Sequence, residues 1–376
     1  MVLEYPGIEA LFETLLAEKY RLLGPTVRDG AVVIDEIFSG ADLPRGWTSS
    51  QEAGSYRLVR RSDEALFGFP VGPGSWKPFL LPPRVRLARS RRSEKGFEPE
   101  PDADPEVKTA WIGVRACDLA ARAILDRVLL EGEYVDPVYA RTRAGVFTVA
   151  VHCTEPAGTC FCASMGTGPR AAGGVDLALT EITDGGRPIY LLETGSERGA
   201  ELASRLPARK SEEAERETAR ARVDAAGSRM GRQLELTGLK EILYRNYENP
   251  RWEQVASRCL ACTNCTAVCP TCFCHTVEDV TALHGETAER WRRWDSCFTA
   301  EFSFIHGGSV RRSVRSRYRQ WLLHKLATWQ DQFGTPGCVG CGRCITWCPA
   351  AIDITEEAAV IRETDPVAAA ERRTKP

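Results

Sequence analysis

The chain carries Cys259-Leu-Ala-Cys262-Thr-Asn-Cys265-Thr-Ala-Val-Cys269-Pro270 and repeats its spacing in Cys338-Val-Gly-Cys341-Gly-Arg-Cys344-Ile-Thr-Trp-Cys348-Pro349. In each run two residues separate the first three cysteines, three residues precede the fourth, and the fourth leads into proline. In bacterial ferredoxins this spacing lets three thiolates converge on three irons of one cubane, while the fourth turns toward a second cluster. The spacing predicts electron transfer.

The fourth cysteine of each run is assigned to the cluster of the other run, which defines two predicted clusters. One [4Fe–4S] cluster is assigned to Cys259, Cys262, Cys265 and Cys348, and the other to Cys338, Cys341, Cys344 and Cys269. The alternative is zinc, which takes four ligands, typically in two separated pairs, so two complete runs of four ending in Cys-Pro do not fit it. We therefore predict a ferredoxin-like module with two cubanes close together.

Between the runs lie 68 residues, and residues 271–337 are predicted to form a helical insertion. Its predicted apolar anchors are Trp291, Trp294, Trp321, Leu322, Leu326 and Trp329. Its arginines are Arg311, Arg312, Arg315, Arg317 and Arg319. They form either a solvated helix face or a surface that docks a partner protein or stabilises reduced clusters. No nucleic-acid partner is expected, because the chain has 51 Asp and Glu against 49 Lys and Arg.

With 376 residues, 43% of them hydrophobic, the chain can bury two cores. Residues 1–226 are predicted to form a mixed α/β domain, and residues 227–376 the α-helical, ferredoxin-like dicluster module. The predicted strands are Ala31–Phe38, Tyr56–Arg60, Ala110–Arg115, Gly145–Val151, Val175–Ile182 and Pro188–Glu193. The predicted helices are one from Ile8 to Tyr20 ended by Gly24-Pro25, one over Asp118–Leu130, and a charged connection over Ser196–Ala226. Ser93–Val107 is predicted to be an exposed loop.

A second group of cysteines lies in the N-terminal domain: Cys117, Cys153, Cys160 and Cys162. Cys117 and Cys153 each follow a predicted strand directly, at the sheet edge where α/β proteins collect their ligands. A third [4Fe–4S] cluster at these four residues is one interpretation. The other is that they are small buried hydrophobes, because their spacing is not a ferredoxin run.

Three further cysteines, Cys272, Cys274 and Cys297, remain of the fifteen in the chain. They are predicted to pack around the first cluster and tune its potential. The alternatives are redox-active thiols or cluster ligands. His275 is predicted to be an ordinary hydrogen-bonding residue rather than an iron ligand.

The sequence offers no nucleotide-binding motif and no unassigned Cys-x-x-Cys pairs for a nickel–iron centre, so a catalytic metal is expected in a partner. No apolar stretch of membrane-spanning length is present, and glutamates occupy the N-terminus where a secretory signal would be basic. We expect a cytoplasmic protein without membrane contact, its thiols reduced or bound to metal.

Several motifs together carry a family resemblance. They are Gly24-Pro25-Thr26, Gly54-Ser-Tyr56-Arg57-Leu58, Ser75-Trp76-Lys77-Pro78-Phe79-Leu80, Gly113-Val-Arg115-Ala-Cys117-Asp118, Cys160-Phe-Cys162-Ala-Ser-Met-Gly166-Thr-Gly168-Pro169, Cys269-Pro-Thr-Cys272-Phe-Cys274, Trp294-Asp-Ser-Cys297, His324-Lys325 and both cysteine runs. With these the chain resembles the iron–sulfur β subunit of cytoplasmic NADP-linked nickel–iron hydrogenases, the sulfhydrogenases. That family is shared with the electron-transfer subunit of anaerobic sulfite reductase.

The resemblance implies a non-catalytic electron-relay protein within an oxidoreductase complex. Its implied partners are a flavoprotein γ subunit that binds NAD(P)H and the hydrogenase δ and α subunits. The competing hypotheses are the electron-transfer component of an anaerobic sulfite reductase and a redox-sensing or scaffold protein without a catalytic partner. Around the clusters, Trp347 and Trp294 are expected to exclude water, and Arg343 to tune the second cluster through its charge.

Overall fold

A computed structural model describes residues 1–100, 108–183 and 187–367 of this chain. Its strands are β1 (Val2–Leu3), β2 (Arg21–Arg28), β3 (Ala31–Glu36), β4 (Trp47–Glu52), β5 (Ser55–Arg60), β6 (Arg84–Ser93), β7 (Gly96–Glu100), β8 (Thr109–Val114), β9 (Val146–Val151), β10 (Leu177–Ile182), β11 (Ile189–Thr194), β12 (His275–Thr281), β13 (Thr287–Trp294), β14 (Phe304–Ile305) and β15 (Gly308–Ser309). Its α-helices are α1 (Tyr5–Ala17), α2 (Lys77–Leu80), α3 (Ala116–Leu129), α4 (Pro137–Ala144), α5 (Glu197–Ala203), α6 (Glu213–Ser228), α7 (Leu239–Arg245), α8 (Arg251–Ala256), α9 (Asn264–Ala267), α10 (Val314–Leu323), α11 (Trp329–Phe333), α12 (Arg343–Thr346) and α13 (Ile354–Thr364). A π-helical turn over His324–Thr328 joins α10 to α11.

A seven-stranded sheet in the order β1-β11-β10-β9-β8-β2-β3 organises the N-terminal part. Its central strands β10, β9, β8 and β2 run parallel, and the outer pairs are antiparallel. Every residue of β8, β9 and β10 is buried, because α1 covers one face of the sheet and α3 the other. The N-terminal part is therefore an α/β structure, as predicted.

Two adjacent strand ends position chemically important residues. β8 ends at Val114, and α3 begins at Ala116, so Cys117 lies in the first turn of that helix. β9 ends at Val151, two residues before Cys153. Since β8 and β9 are parallel neighbours, both cysteines lie beyond the same edge of the sheet.

The end of the first helix differs from the prediction. α1 stops at Ala17, and Lys19 takes a positive φ of 63° before β2 begins. Gly24 and Pro25, predicted to end the helix, lie inside β2. Pro25 lies beyond Arg21–Leu23, the part of β2 that pairs with β8, and a strand without a neighbour on one side tolerates proline.

The segment from Ser93 to Val107, predicted to be a loop, contains a β-hairpin in its described part. β6 ends at Ser93, and β7 covers Gly96 to Glu100. Residues 101–107 lie outside the described residues. Arg89 and Arg91 on β6 both pair with Glu100, so charged cross-strand contacts replace the apolar alternation that would have indicated strands.

The prediction of a wholly helical insertion is wrong for its first half. β12 and β13 form an antiparallel hairpin, and β13 also pairs with β6, which gives a sheet in the order β12-β13-β6-β7. Trp291 and Trp294, predicted as helix anchors, both lie in β13. The β-branched residues of β12, such as Val277 and Val280, favour a pleated, half-buried surface, and β6 supplies the pairing edge. The predicted domain boundary near residue 227 stays a prediction, and this sheet joins strands from both sides of it.

The second half of the insertion is helical and belongs to a separate core. α10, the π-turn and α11 pack with α7, α8 and α13 around buried Trp252, Trp321, Leu326 and Ile361. Several cysteines of the two runs lie against this core. It therefore supplies one apolar wall of the region that the cysteines share.

Candidate iron–sulfur sites

The four cysteines predicted for the first cluster line one cavity: Cys259, Cys262, Cys265 and Cys348. Aromatic side chains form much of the remaining wall: Phe298, Tyr318 and Trp321. Burial raises the pKa of Cys265, and the neighbouring Cys259 and Cys348 thiols add to the rise. Four thiols around one apolar cavity fit the ligand set of a [4Fe–4S] cluster.

Cys269 lies close to all three leading cysteines of the second run. Burial raises the pKa of Cys338, Cys341 and Cys344, and in each case the nearby Cys269 thiol adds to the rise. The structure thus brings together the four cysteines predicted for the second cluster. These residues too fit a [4Fe–4S] cluster, and the exchange of fourth cysteines between the runs stays a prediction.

The two runs fold alike. The backbone N–H groups of Ala261 and Gly340 each donate to the sulfur of the cysteine two residues earlier, at 3.4 Å. Both residues have positive φ, as do Thr263 and Gly342, which cap the short helices α9 and α12. The repeated cysteine spacing is therefore also a repeated backbone conformation.

Contact with the N-terminal part explains why the second run uses glycine at these positions. A Cβ on Gly340 would lie 2.7 Å from the backbone of Cys162, and one on Gly342 would lie 2.4 Å from the carbonyl oxygen of Thr159. The Phe161 N–H donates to the Gly340 carbonyl at 2.8 Å. The loop that carries two of the N-terminal cysteines is therefore packed directly on the second run.

The four N-terminal cysteines lie in one region. Burial raises the pKa of Cys162, and the Cys160 and Cys153 thiols add to the rise. Cys162 in turn adds to the raised pKa of Cys117, which burial dominates. Cys341 of the second run is close enough to add to the raised pKa of both Cys160 and Cys162. The structure brings these four thiols together beside the second run.

Arg343 is held in a buried ion pair. Its two Nη atoms lie 3.0 Å from the two carboxylate oxygens of Asp118, and its Nε donates to the carbonyls of Gly72 and Gly74 at 3.1 and 3.2 Å. Burial raises the pKa of Cys341, and Arg343 opposes that rise. Because Asp118 neutralises much of its charge, Arg343 acts on the second site more weakly than an unpaired arginine would.

Trp347 and Trp294 have different surroundings. Trp347 is half-buried and packs against Tyr56, with 5.2 Å between ring centroids. The Trp294 indole N–H donates to the Leu81 carbonyl at 2.9 Å, and the Lys77 ammonium lies 3.9 Å from its ring centroid. Their exclusion of water from the cysteine sites stays a prediction.

Two buried lysines face the cysteines, and sequence reasoning missed their role. Lys325 Nζ lies 3.3 Å from Cys269 Sγ and donates to Thr271 Oγ1 at 2.6 Å. Burial lowers the pKa of Lys77, and the Cys272 thiol opposes that effect. A buried ammonium beside thiol sulfur favours anionic thiolate or an anionic metal cluster. The two ammonium groups therefore favour negative charge on the neighbouring sulfur atoms or on a cluster bound to them.

One signal in the sequence could have identified Lys325. Trp321, Lys325 and Trp329 follow each other at helical four-residue steps, so a lysine interrupts an apolar stripe. A lysine inside such a stripe must be buried with a partner, because an unpaired buried ammonium is costly. The pattern indicates a buried polar site.

The remaining cysteines and the histidine have distinct environments. The Cys272 thiol contacts Cys269, and Cys274 contacts Cys297. His275 is exposed at the start of β12, with Nδ1 3.1 Å from the Phe273 carbonyl. The role of His275 and the tuning of the first cluster by the cysteines both stay predictions.

None of the helices within the described ranges is long and apolar enough to cross a membrane.

Comparison with known proteins places the chain in a family. Residues 258–352 match the family model of a 4Fe–4S dicluster domain, which implies two [4Fe–4S] clusters. The chain is 33% identical to Sulfhydrogenase 2 subunit beta of Pyrococcus furiosus over 298 residues, which cover 76% of this chain and 82% of that protein. No solved structure matches it. Because this similarity extends through most of the chain and not only the cysteine runs, the protein belongs to the sulfhydrogenase β subunit family of iron–sulfur electron-transfer proteins.

Proposed function

We propose that this chain relays electrons between a flavoprotein that binds NAD(P)H and a [NiFe] hydrogenase module. One observation carries the proposal: the cysteines of the two runs lie side by side in a chain of the sulfhydrogenase β family. Cys344 belongs to the second set yet lines the cavity of the first. Two adjacent one-electron sites suit stepwise transfer between a hydride donor and a distant metal.

The ligands that we propose are the eight run cysteines in their exchanged sets. A [4Fe–4S] cluster bound to four thiolates supplies one-electron transfer. The chain itself fixes the position of each site through the paired backbone turns at Ala261 and Gly340. Its apolar core excludes water, and Lys325 places positive charge beside Cys269. Local positive charge favours the more anionic, reduced form of such a site.

We propose the N-terminal cysteines Cys117, Cys153, Cys160 and Cys162 as a third cluster site. Their support is proximity: Cys153 adds to the raised pKa of Cys160 and Cys162, Cys162 adds to that of Cys117, and Cys341 of the second run adds to those of Cys117, Cys160 and Cys162. Such a site would extend the line of clusters from the dicluster module into the α/β part. A partner docked on the α/β part would then be within reach of the relay.

Iron counting tests the third site. Chain purified under anoxic conditions is expected to hold about twelve irons, since each cubane contributes four, and Cys160→Ser is expected to lower the count to about eight. Cys272→Ser removes another thiol outside the runs and is expected to leave the count unchanged. A wild-type count of about eight that Cys160→Ser does not change would contradict the third cluster.

Metal analysis of the native complex tests the proposed function. The complex that co-purifies with this chain from its own cells under anoxic conditions is expected to contain flavin and about one nickel per chain, because the catalytic metal lies in a partner. An intact complex with siroheme and no nickel would assign the chain to an anaerobic sulfite reductase. A chain isolated without any catalytic partner would indicate a sensor or scaffold. We propose the cytoplasm as its location.

A further inference from the structure

Cys274 and Cys297 face each other outside the proposed cluster sites. The Cys274 and Cys297 side chains lie close enough that each is the largest influence on the pKa of the other. The backbone N–H of Asp295 donates to the Cys274 carbonyl at 2.9 Å, which ties the two segments together. Two cysteines whose sulfurs are in contact and whose backbones are joined in this way can approach disulfide geometry with little movement.

Both cysteines lie in the wall of one cavity. Cys274 and Cys297 are half-buried and line a cavity of about 270 Å³. Other side chains of the wall include Arg311, His275 and His324. By contrast, Cys272 lies against Cys269, a proposed cluster ligand. The cavity has room for a small molecule, and the Arg311 guanidinium in its wall suits one that carries a carboxylate.

The surroundings assign different roles to the two thiols. The hydrogen bond from Cys297 lowers the pKa of Cys274 to about 7, and the Lys325 ammonium contributes to this despite the opposing effect of burial. The same contact raises the pKa of Cys297. The environment therefore favours the thiolate, which is the nucleophilic form, on Cys274 and the protonated thiol on Cys297.

We propose that Cys274 and Cys297 are a redox-active dithiol that exchanges with a small, carboxylate-bearing disulfide in this cavity. The Cys274 thiolate attacks one sulfur of the disulfide, forms a mixed disulfide and releases the other half as a thiolate. Cys297 then gives its proton through solvent to the released thiolate and attacks the Cys274 sulfur, and the second thiolate takes up the proton that Cys274 had lost to solvent. The Cys274–Cys297 disulfide forms and the second thiolate leaves, so that the protein is oxidised by two electrons and the small disulfide is reduced to two thiols. This inference does not depend on the electron relay.

The test uses the full chain in its native, cluster-loaded complex with oxidised glutathione as the probe. After brief anoxic incubation, quenching by alkylation and peptide mass analysis, we expect near-complete loss of free Cys274 and Cys297 and a cross-linked peptide that dithiothreitol opens. Cys297→Ser is expected to stop the reaction at glutathione bound to Cys274. Cys272→Ser is expected to form the cross-link as the wild type does, and iron content is expected to be unchanged in both variants.

Two results would overturn the proposal. If glutathione leaves both thiols free for alkylation, the pair has no exchange activity. If both thiols resist glutathione and native alkylation and Cys297→Ser loses iron, they are cluster ligands. The wild-type measurement decides between these outcomes even if a variant fails to fold.

Discussion

Arg343→Met is expected to lower the free energy of unfolding by about 3–5 kcal/mol, the range for removing one partner of a buried ion pair. Arg343 is 3% exposed and Asp118 is 5% exposed, so the variant would leave a buried carboxylate without its counter-charge. The pair also joins the second cysteine run to the first turn of α3. Chemical unfolding of anoxically purified chain measures the loss.

An exposed pair of the same type provides the matched control. Arg290 contacts Asp279 through two hydrogen bonds of 2.8 Å, but the two side chains are 57% and 65% exposed. Arg290→Met is therefore expected to cost less than about 1 kcal/mol. The double variant Arg343→Met with Asp118→Leu is expected to return to within about 2 kcal/mol of wild type, because apolar side chains then replace both charges. A double variant less stable than Arg343→Met would contradict the charge-based explanation.

Gly340→Ala is expected to destabilise the chain by about 2–4 kcal/mol, combining the cost of left-handed backbone with overpacking against a rigid neighbour. Gly340 has φ +64°, and a Cβ there would lie 2.7 Å from the backbone of Cys162. The Cys160–Cys162 loop would have to move, and this loop carries two ligands of the proposed third cluster. The free energy of unfolding and the iron content of the variant are the two measurements.

Gly334→Ala is the control variant, because it has the cost of left-handed backbone without a steric contact of the new Cβ. Gly334 has φ +72°, and its Cβ would meet no heavy atom of the described residues within 4 Å. It is expected to cost only about 1–2 kcal/mol, the strain alone. In the first run Ala261 and Thr263 occupy positive φ, so strain of this size is compatible with the fold. If Gly340→Ala and Gly334→Ala lowered the free energy of unfolding equally, the Cys160–Cys162 loop would move aside without an energetic cost.

Much of the cysteine arrangement could be predicted because it is local. Thiols three residues apart in a tight turn must converge, whatever the rest of the chain does. The exchange of Cys269 and Cys348 also followed from the run, since each fourth cysteine leads into a proline that turns the chain away. The buried central strands and α3 were predictable from continuous apolar stretches and helical spacing.

The secondary-structure predictions were wrong for segments whose conformation depends on pairing with another strand. β12 and β13 are strands because β6, nearly two hundred residues earlier, offers an edge. Gly24 and Pro25 lie in a strand because they pair with Asp35 and Ile34 of β3, and proline is tolerated there because β8 pairs only with the start of β2. In both cases local composition also permits helix or turn.

The order of residues along the chain was enough to establish the chemistry of this protein: thiols in two ferredoxin runs, an α/β sheet and a family. Which groups act on those thiols depends on how the elements pack. Asp118 beside Arg343, Lys325 beside Cys269 and Cys274 facing Cys297 are pairs whose members come from separate elements. Spacing along the chain specifies contacts within a turn or a helix, whereas burial and charge pairing arise only when separate elements pack together.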